Sequence, residues 1–384
     1  MRIGIIGAGH AGIEAAKAAR AGGADTVVVY SNEGVLPYSR PKLVALAFSQ
    51  VQPEEMLQKP ASWYRENGID LRLATPVTGL RPDIGGVVTA AGEEQFDALV
   101  LACGAEPLQP PIPAPPNALL PLWSQAQALA VRDRLPPGAT VLVLGGGVLG
   151  IETALRAAQA GFKPVLVEKM PSLMSAQFTQ AAGAVIRSML ESKGVSVHTG
   201  AGVTAVSAGE GGCRFQLDQG GTLDACCAIL SIGARPNLSL ARAAGLGGGT
   251  GVAVDAFLQA APCLFAAGDL TQLGGGNRCS VREALAQGRV AGANAAAAAA
   301  GKPLQNYQSQ PIPLQFMFND FMLCSVGDSG VAAGAEVETL PAPPAAYRAL
   351  IRRAARLAGV QMVGTKQEFD HYVRQLESGA LNGG

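Results

Sequence analysis

No two cysteines of this chain have C-x-x-C spacing, and residues 31–60 contain no cysteine at all. The seven cysteines are scattered, so no local zinc knuckle or redox dithiol can be read from them. With no export signal, they are expected to be reduced thiols of a cytoplasmic protein. The three histidines, His10, His198 and His371, are far apart. None has metal-ligand spacing, so no metal is expected, and no Ser-His-Asp arrangement stands out. Formal net charge is zero, so the total implies no attraction to nucleic acid or to a membrane surface. No apolar run is long enough to span a bilayer without a glycine or a charge, and no stable membrane insertion is expected. Aromatic residues are only 5% of the chain against 49 glycines, a composition suited to close helix–sheet packing. A length of 384 residues leaves room for two or three domains with ample core.

What is present is a pair of glycine fingerprints. Gly7-Ala8-Gly9-His10-Ala11-Gly12 follows the apolar run Arg2–Ile6, and Gly145-Gly146-Gly147-Val148-Leu149-Gly150 follows Val141–Leu144. A single G-x-G-x-x-G is weak. Two, each in strand–turn–helix–strand context, point to two dinucleotide sites. The first glycine permits the tight turn, the second lets the backbone approach a pyrophosphate, and the third lets helix and strand pack closely. The phosphates then sit on the free N–H groups of a helix N-terminus. Two dinucleotides on one chain suggest that one carrier delivers a hydride and the other accepts it.

Residues 1–30 and 140–168 each read as a βαβ unit. The proline run Gln109–Pro116 cannot enter a helix or a central strand and reads as a linker. Ala225–Gly233 and Cys263–Asp269 read as buried strands ending in glycine turns, and an alanine-rich helix is expected around Glu283–Ala300. The last eighty or so residues carry no nucleotide motif and read as a separate module.

Glu168 ends the second strand of the second unit. A carboxylate there accepts the ribose hydroxyls of NADH and repels the 2′-phosphate of NADPH, so NADH is favoured; the alternative is a solvated strand-end glutamate. In the first unit Tyr30 stands at the strand end. Glu33, three residues on, is placed either to reach a ribose from the loop or simply to be solvated. Asp269, after a strand and Gly268, is placed to bond a ribityl hydroxyl of a flavin, although Gly-Asp is also a common turn.

Together these residues resemble the FAD-dependent pyridine-nucleotide oxidoreductases of the glutathione-reductase fold. The resemblance covers almost the whole length. It rests on Gly7–Gly12, Leu36-Pro37-Tyr38-Ser39-Arg40-Pro41-Lys42-Leu43, Asp97–Ala105, Gly145–Glu152, Ile232–Asn237, Phe265–Asp269 and Ala286-Gln287-Gly288. Disulfide reductases of this family carry a C-x-x-x-x-C pair where this chain has no cysteine. The Pro-Tyr-x-Arg-Pro-x-Leu run instead resembles the branch serving small iron proteins, and Ser31-Asn32-Glu33 resembles a loop of the NADH:rubredoxin reductases.

The resemblance implies an α/β chain with two Rossmann-like domains and a small α+β C-terminal domain. The implied division is residues 1–115 and 239–303 for FAD, 116–238 for NADH, and 304–384 for an interface domain. Gly7, Gly9, His10, Ala11, Gly12, Glu33, Arg40, Val77, Ala102, Cys103, Gly104, Asp269 and Gln287 are the implied FAD residues. Gly145, Gly147, Val148, Leu149, Gly150, Glu168 and Gly233 are those for NADH. No acid or base is obligatory; Arg40, Pro41, Lys42 and Glu152 are candidates to line the flavin. Two departures stand out. Ala45 occupies a position where many ferredoxin reductases have a lysine, so a lysine partner for Glu152 is not expected. Cys103 replaces a threonine and reads as a buried, inert thiol.

The implied partner is a small iron carrier, rubredoxin or an iron–sulfur protein. One rival is an NADH:quinone or ferredoxin reductase. The quinone version is motivated by Tyr347–Leu357, whose period fits a basic amphipathic helix, whereas the resemblance implies two strands across 347–363. A non-catalytic NADH/FAD redox sensor is the other rival.

Overall fold

The computed structural model describes residues 1–209, 211–273, 279–309, 313–330 and 333–381. The chain forms two compact units. One comprises Met1–Arg40, Pro53–Glu106 and Ala234–Ser309; the other comprises Pro41–Gln52, Pro107–Gly233 and Gln310–Gly384.

The first unit is built on a six-stranded sheet. Its order is Gln259–Ala261, Leu264–Ala266, Ala98–Leu101, Arg2–Ile6, Thr26–Tyr30, Ile69–Arg72. All neighbours are parallel except the first pair. The central strands are nearly continuous apolar runs because both faces are covered. Ile3, Ile5, Val27 and Val29 have no exposed surface, and each such burial contributes about 1.5–3 kcal/mol. Helix His10–Ala21 follows the first strand and packs on helix Val281–Ala299. The contact is as close as backbone permits: a Cβ on Gly288 would stand 2.3 Å from the Ala11 carbonyl oxygen, and one on Gly292 2.1 Å from that of Ala15. This is where the alanine- and glycine-rich composition is used.

The second unit contains a five-stranded parallel sheet ordered Ser196–Thr199, Lys163–Glu168, Thr140–Leu144, Ala228–Leu230, Leu119–Pro121. Helix Val148–Gln159 leaves the strand Thr140–Leu144, as the second βαβ reading expects. The same unit holds a five-stranded antiparallel sheet, Leu314–Phe318, Phe321–Gly327, Arg356–Val363, Tyr347–Arg353, Glu336–Thr339. Helix Gln180–Ser192 is tied to this sheet by buried polar groups. Gln361, fully buried, accepts from the Thr179 N–H at 3.0 Å and donates to the carbonyls of Gln177 and Ser329. Thr179, the N-cap of that helix, stands 3.1 Å from the Tyr347 hydroxyl.

The helical reading of Tyr347–Leu357 is overturned: the stretch is two antiparallel strands. Ala354 and Ala355 both have positive φ, +46° and +63°, the geometry of a two-residue hairpin turn that matches strand twist. Three of its four arginines are held in ion pairs. Arg348 is buried against Glu368, Arg352 meets Glu338 at 2.8 Å, and Arg353 meets Asp328. The membrane-surface rival therefore loses the basic amphipathic helix that motivated it. Among the described residues no helix is long and apolar enough to cross a membrane.

Candidate functional site

The two glycine loops have the same construction. Gly7 and Gly145 both take positive φ, +111° and +108°, where any side chain is strained. A Cβ would also strike backbone, at 2.2 Å from the Ala102 oxygen and 2.3 Å from the Ser231 oxygen. Gly12 and Gly150 are closed by the loop itself, with a Cβ falling 1.9 Å from the Gly7 oxygen and 1.8 Å from the Gly145 oxygen. Between them Gly9 and Gly147 face open space, with nothing within 4 Å of a Cβ. These two glycines are also the N-caps of their helices and offer no capping side chain. The first-turn N–H groups thus face the gap that a Cβ would fill. This is the shape of a pyrophosphate cradle, once in each unit, and it fits FAD in the first and a nicotinamide dinucleotide in the second.

Around the first cradle, His10 opens the helix. Burial, with Arg40 adding to it, lowers its pKa, so the imidazole is neutral at pH 7. Tyr30, at the strand end, is buried with its hydroxyl on Glu94 and its ring edge-on to Phe96. Glu33 follows in the loop after that strand. Its carboxylate accepts from the Tyr38 hydroxyl at 2.7 Å and from Arg40 at 2.8 Å, and Arg40 also lies over the Tyr38 ring. The Leu36–Leu43 run therefore organises the Glu33 loop. Asp269 follows Gly268, which has φ +88°. Burial raises the pKa of its carboxyl, against the pull of Arg40, and among the described residues no hydrogen bond to it is found. A half-buried carboxylate with acceptor capacity to spare among the described residues suits a ligand hydroxyl.

Gln287 is fully engaged within the protein. Its Oε1 accepts from the Gly268 N–H and stands 2.8 Å from the Thr271 hydroxyl, while its Nε2 donates to Glu283. Ala102 is buried, Gly104 has φ +64°, and Val77 packs beside Leu80 and Val87. Burial pushes the Cys103 thiol up to about 12, its Sγ stands 3.7 Å from the Ile6 carbonyl, and the side chain packs against the apolar cluster of Ile6, Leu99 and Leu101. It is a packing group, not a nucleophile.

Around the second cradle, Glu168 lies at the strand end as expected. One carboxylate oxygen accepts from the Gly146 N–H at 2.5 Å, the other from the Met170 N–H at 2.7 Å. It thus braces the phosphate loop, with lone pairs left for a ribose. Val148 and Leu149 form the helix start, and Gly233 has φ +106°. The Ser231 hydroxyl is buried without a partner among the described residues, and its Cβ lies beside Gly150. In the same unit Glu152 is held by Arg156 at 2.7 Å, and burial raises its pKa despite that cation. Arg156 in turn donates to Gln50 at 2.6 Å. Ala45 is buried, and the partner of Glu152 is an arginine one helical turn away. Arg40 and Lys42 bound the turn Arg40–Lys42 around Pro41.

Sequence reading missed the supports: the Tyr38–Glu33–Arg40 cluster, the Gln50–Arg156–Glu152 chain, and the Glu283–Gln287 pair. The last was visible in principle as an i,i+4 pair on the expected helix. None of the seven cysteines is in a disulfide, and among the described residues no group of three or more His, Cys, Asp or Glu could hold a metal.

The fold and the two cradles define a two-dinucleotide α/β oxidoreductase. The sequence profile of the pyridine nucleotide-disulphide oxidoreductases matches residues 1–300, and the chain belongs to that family. It is an FAD-dependent NADH oxidoreductase. It is 34% identical to a rubredoxin-NAD(+) reductase of Pseudomonas putida over 70% of this chain and 71% of that one. It is 33% identical to the ferredoxin–NAD(+) reductase component of an anthranilate 1,2-dioxygenase system of Burkholderia cepacia, over 70% and 67%. In fold it matches the NADH:rubredoxin oxidoreductase of Clostridium acetobutylicum with TM-score 0.82 and 22% identity, covering 98% of this chain and 95% of that one.

Proposed function

We propose that this protein takes hydride from NADH and passes electrons through FAD to a small iron carrier, most simply rubredoxin, in the cytoplasm. The observation that carries this reading is the paired cradle: open Cβ positions at Gly9 and Gly147 in otherwise closed loops. In this reading the FAD domain is 1–115 with 239–303, the NADH domain 116–238, and 304–384 an interface domain.

Bound FAD supplies the chemistry, accepting two electrons as hydride and releasing them singly. The chain's own residues bind and align. Gly9 and the N–H groups after it hold the FAD pyrophosphate, Asp269 a ribityl hydroxyl, and Glu33 the adenosine ribose. Gly147 and its neighbours hold the NADH pyrophosphate, and Glu168 its ribose. Lys42 brings positive charge toward the flavin and meets an acidic carrier, while Arg40 holds the Glu33 carboxylate. No thiol takes part.

The test is anaerobic stopped-flow oxidation of the NADH-reduced protein by rubredoxin, ferredoxin, a quinone and oxygen. Rubredoxin should be fastest, and its rate should fall as salt rises, because screening shortens electrostatic steering. The Lys42→Glu variant should slow this step more than reduction by NADH. A rate with rubredoxin no greater than with oxygen, beside a much faster ferredoxin or quinone, would reassign the acceptor.

A further inference from the structure

Glu283 lies on the first turn of the helix Val281–Ala299, is 9% exposed, and no part of the reading above uses it. A buried carboxylate needs donors, and this one has three on a single oxygen. The Tyr307 hydroxyl donates to Oε1, Gln287 Nε2 donates at 3.1 Å, and Ser309 Oγ donates at 3.4 Å. Burial and Glu283 itself raise the pKa of the Tyr307 phenol, which therefore remains a donor at neutral pH. Gln287 then extends the chain. With its amide nitrogen turned to Glu283, its oxygen faces the Gly268 N–H, 2.8 Å away. Gly268 is the left-handed residue that turns the chain into Asp269. A continuous hydrogen-bonded path thus runs from the partly buried Tyr307 through Glu283 and Gln287 to Gly268, the residue before Asp269.

The bond directions along this path are forced. A carboxylate only accepts and a backbone N–H only donates, so Gln287 fits between them in one orientation. A Gln287 free to flip would set its NH2 against the Gly268 N–H and push the turn away.

We propose that Glu283, anchored by Tyr307, is a positioning residue of the FAD site: it locks Gln287 so that the Gly268 turn presents Asp269 to the flavin side chain. This rests on the reading that Asp269 holds FAD.

The test is FAD release from the holoprotein, followed by the recovery of flavin fluorescence on dilution, with circular dichroism recorded on each variant. Glu283→Ala should raise the FAD dissociation constant about tenfold. Glu283→Gln keeps an oxygen for Tyr307 and Gln287 and should restore most of the affinity. Asp269→Ala should also weaken FAD, and the Asp269→Ala/Glu283→Ala double variant should be no weaker than the weaker single one. Should Glu283→Ala not fold, Tyr307→Phe alone and combined with Asp269→Ala reads the same coupling. A folded Glu283→Ala protein with wild-type FAD affinity, or additive losses in the double variant, overturns the proposal. Unchanged affinity in Asp269→Ala instead removes the assignment of Asp269 on which it rests.

Discussion

Replacing Gly147 by alanine separates binding from folding. Gly147 has φ −80° and ψ −176°, which alanine adopts freely, and its Cβ meets nothing within 4 Å. The cost to the fold is that of alanine for glycine at an N-cap, about 0.5 kcal/mol. The new methyl nevertheless occupies the gap through which a pyrophosphate reaches the helix N–H groups. Losing one such charge-assisted bond costs about 1.5–3 kcal/mol, so the NADH dissociation constant should rise roughly 10- to 100-fold. FAD content should not change, because the first cradle lies in the other unit. Gly150→Ala is the control of opposite character. Its Cβ would sit 1.8 Å from the Gly145 carbonyl oxygen, a backbone atom that cannot swing aside, and a loss of about 3 kcal/mol of stability is expected. The assay is NADH titration of flavin reduction by anaerobic stopped flow, with flavin absorbance and thermal unfolding on the same samples. A Gly147→Ala protein with full FAD and unaltered NADH affinity would refute the cradle.

Glu168→Arg should move preference toward NADPH. It should also lower turnover with NADH, since the bonds to Gly146 and Met170 N–H that brace the loop are lost with the carboxylate; equal kcat/KM for the two nucleotides in the wild type would contradict the role of Glu168. Reductive titration should take two electrons per flavin with no disulfide equivalent, and Cys103→Ala should turn over normally, because a thiol pushed up to about 12 carries almost no thiolate at pH 8; a long-wavelength thiolate–flavin band on reduction would sink this.

The parts legible in the sequence are those where local chemistry dictates geometry. A G-x-G-x-x-G after an apolar run has little choice, since Gly7 and Gly145 need positive φ and Gly12 and Gly150 abut a carbonyl. Both cradles were therefore readable from six residues each. The period of Tyr347–Leu357 did not decide, because its apolar spacing satisfies a helix as well as two short strands; the two strands that the resemblance implies are the ones found. What decides is the pair Ala354-Ala355 in left-handed conformation, at a residue type that gives no turn signal, held by long-range pairing of Tyr347–Arg353 with Arg356–Val363. The supports of the site were hidden for a related reason. Tyr307 reaches Glu283 from 24 positions away, and Gln50 reaches Arg156 from 106. Such pairs are created by tertiary packing, and no window of sequence contains both partners. The glycine loops could be read from the chain, whereas the side-chain contacts that support them required the fold.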